Sequence, residues 1–132
     1  ATLKYEEGGG GRVSYALGAW TGFTIANGVT IENATGGAGN DTLIGNDANN
    51  ILNGGAGRDT LVGGKGSDQL FGGEGYDTID YSGLSGGVKV YLTQRKATKS
   101  DGSVDQLDNL ENIVGTAFND ILSGSLIAQT FD

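Results

Sequence analysis

The sequence predicts an all-β fold: a flattened right-handed parallel β-helix solenoid with flanking capping strands. Three observations carry that expectation: a nine-residue period from Gly36 to Asp80, glycines at fixed places within each period, and an aliphatic residue at its eighth place. Five consecutive lines read GGAGNDTLI, GNDANNILN, GGAGRDTLV, GGKGSDQLF and GGEGYDTID, beginning at Gly36, Gly45, Gly54, Gly63 and Gly72. The chain has 26 glycines and no proline in 132 residues. Glycine at that density ordinarily marks a linker or low-complexity chain, but a linker needs no aliphatic residue at a fixed place, so the period argues for structure.

Taken in order, residues 1–26 form an N-terminal flank. RVSYALGAW there is expected to add capping strands, and EEGGGG at Glu6–Gly11 a loop. Residues 27–80 form the repeat region. Its first line, NGVTIENAT at Asn27–Thr35, is degenerate but keeps an acid, Glu32, in the sixth place. Within each line, glycines at the first, second and fourth places allow positive φ and a tight turn. The three residues that follow the sixth place, such as Thr60-Leu61-Val62, form a short strand with its middle side chain on one face. A turn and a strand reverse the chain, so two lines complete a coil and line n stacks on line n+2. The eighth-place residues Leu43, Leu52, Leu61, Leu70 and Ile79 then form the inner ladder.

Residues 81–132 depart from the period. VKVYL at Val88–Leu92 alternates as a half-buried strand, and QRKATKSDGS at Gln94–Ser103 is expected to be a solvated basic loop. Then NLENIVGTAFNDILSG at Asn109–Gly124 aligns with TIENATGGAGNDTLIG at Thr30–Gly45, pairing Glu111 with Glu32 and Asp120 with Asp41. The segment reads as a C-terminal cap carrying the start of a second, degenerate roll, with an incomplete site at Asp120. The chain opens on Ala and contains no Met, so it reads as a segment of a longer protein.

Composition narrows the function. Sixteen acidic against eight basic residues give a net charge of -8. That charge opposes nucleic acid and anionic membrane surfaces and favours bound cations. With no His and no Cys, thiolate or imidazole metal centres and most catalytic constellations are absent. GGKGSD at Gly63–Asp68 fails as a phosphate loop, because Asp59 stands where the first glycine belongs and Gly66 follows Lys65. No apolar run is long enough to span a bilayer. An acid pair that recurs on every coil suggests a repeated ligand more than one catalytic centre, so the segment is read as non-enzymatic.

Stacking places Asp41, Asp59 and Asp77 above one another on one edge, and Glu32, Asn50 and Asp68 on the other. Strands lie about 4.8 Å apart, so adjacent carboxylates repel by roughly 3.5 kcal/mol at an effective dielectric near 20. A cation midway between coils relieves this, and it would lie about 2.4 Å from oxygens on both sides, the distance calcium takes. Turn carbonyls supply the further hard oxygens that calcium prefers.

These residues resemble a known family. GGxGxDxUx, present here in five lines in register, is the signature of the RTX (repeats-in-toxin, hemolysin-type) calcium-binding parallel β-roll. The longer stretch GFTIANGVTIENATGGAGNDTLIGN resembles the entry into the β-roll of serralysin-type secreted metalloproteases. Together the likenesses cover about Gly22–Asp80.

The resemblance implies a ligand set. One turn gives its second and fourth carbonyls and its sixth carboxylate, and the turn two lines later gives its first and third carbonyls and its sixth carboxylate. On the first edge this implies one Ca²⁺ held by Gly37, Gly39, Asp41, Gly54, Ala56 and Asp59, and another by Gly55, Gly57, Asp59, Gly72, Glu74 and Asp77. On the second edge it implies Thr30, Glu32, Gly45, Asp47 and Asn50 around one ion, and Asn46, Ala48, Asn50, Gly63, Lys65 and Asp68 around another. About four interior ions are thus expected. The last is expected to be the weakest, because Asn50 brings a neutral oxygen and Asn46 and Ala48 replace two turn glycines.

The resemblance further implies a module of a larger secreted bacterial protein, extracellular or at the cell surface, exported by type I secretion and folding on calcium. An alternative is a calcium-supported adhesion or alginate-like polysaccharide-binding module, with Arg95, Lys96 and Lys99 as the only hint of an anionic polymer. A third is an accessory domain beside a protease or polysaccharide-modifying catalytic domain. No HExxH zinc motif can exist in this chain without histidine.

Overall fold

The computed structural model describes residues 33–124 and the backbone of residues 130 and 131. The expected N-terminal capping strands, and the candidate ligands Thr30 and Glu32, lie outside the described residues.

Three coils of 18 residues open the described chain. Each contributes one strand to each of two sheets: β1 (Asn33–Ala38) and β2 (Thr42–Ile44), β3 (Ile51–Gly57) and β4 (Thr60–Val62), β5 (Gln69–Gly75) and β6 (Thr78–Asp80). Pairing is parallel, and the register fixes the coil length: Asn33 faces Ile51 and Ile51 faces Gln69, while Thr42 faces Thr60 and Thr60 faces Thr78. The eighth-place ladder lies inside. Leu43, Leu61, Leu70 and Ile79 are fully buried and Leu52 nearly so. A one-residue slip would turn that whole ladder outward, so the alternation pins the register.

After β6 the nine-residue period ends but the solenoid does not. β7 (Val88–Tyr91), a 3-10 turn at Leu92–Gln94 and β8 (Lys96–Lys99) form an antiparallel unit, and β9 (Val104–Asp108) returns antiparallel to β8 and parallel to β5. β9 takes the fourth coil position beside β5, and β10 (Asn112–Val114) takes the matching place beside β6. Leu70 faces Leu107 and Ile79 faces Ile113, so the inner ladder continues across the interruption. β11 (Ile121–Ser123) pairs with β7, and β12 (Thr130–Phe131) with β10. The resulting orders are β1-β3-β5-β9-β8-β7-β11 and β12-β10-β6-β4-β2. The segment that aligns with Thr30–Gly45 thus adds strands to the same two sheets.

The stretch Gln94–Ser103 differs from its expectation as a solvated loop. Most of it is strand: Ala97 and Lys99 point inward from β8, fully and almost fully buried, while Lys96 is exposed. Among the described residues no helix is long and apolar enough to cross a membrane.

Candidate metal centres

The sixth-place side chains do two jobs with two oxygens. On the first edge, Asp59 Oδ1 accepts from the Asp41 amide at 2.8 Å, Asp77 Oδ1 from the Asp59 amide at 2.8 Å, and Glu111 Oε2 from the Asp77 amide at 2.9 Å. On the second edge, Asp68 Oδ1 accepts from the Asn50 amide at 2.9 Å and Asp105 Oδ1 from the Asp68 amide at 2.9 Å. One oxygen per carboxylate therefore ties a coil to the coil before it.

The other oxygen divides the edges. Asp59 and Asp77 are fully buried, and the Oδ2 of each has no hydrogen-bond partner. A buried acceptor left unmatched costs about 1–3 kcal/mol, more when it is charged. Such an atom calls for a cation. Burial, opposed by the Asp59 amide bond and reinforced by the charges of Asp59 and Glu111, raises the Asp77 carboxyl above its ordinary range.

Oxygen also borders the gaps around these two atoms. The space a Cβ on Gly54 would fill is bounded by Asp59 Oδ2 and the Gly72 carbonyl. At Gly55 and Gly57 a Cβ would run into the Gly37 and Gly39 carbonyls, and both glycines hold positive φ, 108° and 134°. Second and fourth carbonyls of one turn, a first carbonyl of a later turn and the sixth carboxylates thus face glycine-walled spaces between coils. Ala56, another residue of the implied set, gives its carbonyl to the Gly39 amide at 2.7 Å. The Glu74 side chain is exposed, leaving its backbone as the contributor. These donors fit calcium, since they are hard anionic or carbonyl oxygens. No group of three or more His, Cys, Asp or Glu side chains gathers among the described residues.

The second edge is built differently. Asn50 Oδ1 accepts from the Asn46 amide at 2.8 Å, Asn50 Nδ2 donates to Asn46 Oδ1 at 3.2 Å, and the Ala48 amide donates to that same Asn46 oxygen at 2.8 Å. The Asn50 turn thus closes on its own side chains. Asp47 and Lys65, from the same places in successive coils, meet on the surface at 2.8 Å. Behind Gly63 and Gly64, at the sixth place, Asp68 Oδ2 meets the Lys99 ammonium at 3.0 Å.

The buried contacts of Lys99 with Asp68 and Asp105 are what sequence reasoning missed. Asp105 lies 37 residues after Asp68 rather than 18, so it falls outside the period. The signal for Lys99 was the alternation of KATK, which places it on the same face as Ala97. Of the three basic residues proposed as a polymer-binding feature, Lys99 is buried in the roll and Arg95 pairs with Asp108 at 3.1 Å, so they do not form one cationic surface. Asp120 is committed elsewhere. It accepts from the Val88 amide at 2.9 Å and from the Thr116 amide and hydroxyl at 2.7 and 2.8 Å. Burial would raise its carboxyl, but these donors outweigh it and hold it below the ordinary range.

Eighteen-residue coils, a one-side-chain core and parallel pairing define a parallel β-roll. The chain belongs to the RTX calcium-binding nonapeptide repeat family, whose four-copy family model matches residues 28–61, 44–79 and 109–126, more than half of the sequence. It is 76% identical over 29 residues to serralysin of Photorhabdus laumondii and to serralysin of Photorhabdus luminescens, and 69% identical over 29 residues to metallopeptidase AprA of Pseudomonas marginalis. Each matched stretch is 22% of this chain and 6% of the relative's length.

Proposed function

We propose that this chain is a non-catalytic module that folds when calcium fills the gaps of its first edge, and that it forms part of a larger secreted bacterial protein. The observation that carries this is the pair of fully buried, unpartnered oxygens, Asp59 Oδ2 and Asp77 Oδ2, facing glycine-walled gaps. Bound calcium supplies the positive charge that both oxygens lack. The chain's part is to present them: Gly37, Gly39, Gly54 and Asp41 with Asp59 at one gap, and Gly55, Gly57 and Gly72 with Asp59 and Asp77 at the next.

The energetics suit a switch set by compartment. At extracellular-type dissociation constants on the order of 10⁻⁴ M, each site gains about 1.4 kcal/mol in millimolar calcium and almost nothing at submicromolar levels. A chain whose carboxylates repel without the ion stays unfolded inside the cell, suits export by type I secretion, and folds outside. The likeness to serralysin and AprA supports an accessory role beside a protease domain.

The test is circular dichroism of the 132-residue chain in excess chelator and then in millimolar calcium. The β-rich signal is expected to be lost in chelator and to return with calcium. An equally folded chain in both would overturn the proposal.

A further inference from the structure

We infer that the Lys99 ammonium is a built-in cation occupying the seat one coil beyond the two implied on the second edge, between the Asp68 turn and Asp105, so that this seat is closed to calcium and the joint between the repeat region and the C-terminal strands is held without it. The inference rests on the calcium-binding reading above for the other seats, and it adds a residue that no repeat contains.

The contacts of Nζ match the second, fourth and sixth places of one turn and the sixth-place carboxylate of the next. It lies 2.7 Å from the Gly64 carbonyl, 2.9 Å from the Gly66 carbonyl, 3.0 Å from Asp68 Oδ2 and 2.8 Å from Asp105 Oδ1. Gly64, Gly66 and Asp68 are the second, fourth and sixth residues of the line GGKGSDQLF. Asp105 is the sixth-place carboxylate of the next coil, because its Oδ1 takes the Asp68 amide as Asp77 Oδ1 takes the Asp59 amide. Each oxygen around the ammonium therefore has its counterpart around the first-edge gap at Asp59 and Asp77.

The difference between the two edges is the second oxygen. Asp59 Oδ2 and Asp77 Oδ2 are unpartnered, whereas Asp68 Oδ2, equally buried and equally placed, has Nζ. An ammonium presents three donors and one positive charge at hydrogen-bond distance. A calcium ion at the same point would meet that charge in a site from which water is excluded, so the two occupants are mutually exclusive. Two carboxylates would leave one negative charge against a single ammonium. The remaining Asp105 oxygen, Oδ2, is satisfied by the buried Tyr81 hydroxyl at 2.9 Å.

The fold delivers the side chain deliberately. β8 runs antiparallel to its neighbours β7 and β9, and a tight turn in which the Lys99 amide donates to the Ser103 carbonyl and the Gly102 amide to the Lys99 carbonyl fixes where the lysine stem leaves the sheet. The interruption that breaks the nine-residue period thus inserts the tethered cation where the repeated turns stop.

Lys99→Ala tests this in the full chain, with Lys99→Met retaining the apolar stem without the charge. Calcium bound per chain at saturation is counted by equilibrium dialysis with elemental analysis, beside a circular dichroism titration. K99A and K99M are each expected to bind one calcium more than wild type and to need added calcium to fold as wild type does. An unchanged or lower count in either variant, or a K99A chain unfolded at every calcium concentration, would overturn the inference. The comparison is always variant minus wild type. A wild-type chain that binds no calcium is a separate result, and it would overturn the proposed function of the first edge instead.

Discussion

Asp59 carries more of this design than any neighbour of the same type. Its Oδ1 holds the Asp41 amide, its own amide is held by Asp77, and its Oδ2 is buried without a partner between two coils. Asp59→Asn keeps an acceptor for the Asp41 amide and removes only the charge shared by two implied ions. Calcium affinity, read from a circular dichroism titration, is expected to fall by roughly tenfold, about 1.4 kcal/mol. Asp120→Asn is expected to change it by less than about twofold, because both Asp120 oxygens already accept from Val88 and Thr116. Equal losses would contradict the two-oxygen division of labour. Asp59 and Asp77 were legible in the sequence because they recur at the sixth place. Asp105 and Lys99 were not, because a residue that works once leaves no period to read.

At the scale of the element, the turn glycines and the inner ladder were both legible, since sterics and burial impose them on every coil. A Cβ on Gly55 would land on the Gly37 carbonyl while the backbone sits at a φ of 108°. Gly55→Ala is therefore expected to destabilise the calcium-bound roll by about 1–3 kcal/mol. Gly83→Ala, at an exposed bend where an added Cβ meets nothing within 4 Å, is expected to cost under about 0.5 kcal/mol. Urea unfolding at fixed calcium measures both, and a similar cost at the two positions would remove the steric argument for the gap. The β7 and β8 strands were less legible. VKVYL alternates visibly, but KATKSDGS has a polar composition that reads as loop until the Asp68–Asp105 gap gives Lys99 a buried partner. Tertiary electrostatics override local propensity there.

Across the whole molecule, a thin roll with a net charge of -8 stacks buried carboxylates between its coils, and Asp77 in the roll and Asp120 in the C-terminal segment are shifted in opposite senses. Burial, with help from Asp59 and Glu111, raises the Asp77 carboxyl in the folded chain above its ordinary 3.8. A raised acid binds its proton more tightly folded than unfolded, so its cost to stability is absent below 3.8 and appears in full as pH rises through the folded value. Asp120 has the opposite sign. Its lowered carboxyl contributes stability above 3.8 that is lost only as pH falls through a value lower still. The two effects therefore occupy different windows, and above 3.8 the Asp77 contribution acts alone of the pair. In chelator, lowering the pH from neutral toward 3.8 is expected to increase β-structure, because a proton on Asp77 then does part of what calcium does. In saturating calcium the slope reverses, since protons now compete with the ion for Asp59 and Asp77 and affinity falls with acid. Circular dichroism at neutral pH and near 3.8, with chelator and with calcium, checks both signs. A β-structure signal in chelator that falls on acidification would show that repulsion between the stacked carboxylates is not what keeps the calcium-free chain open.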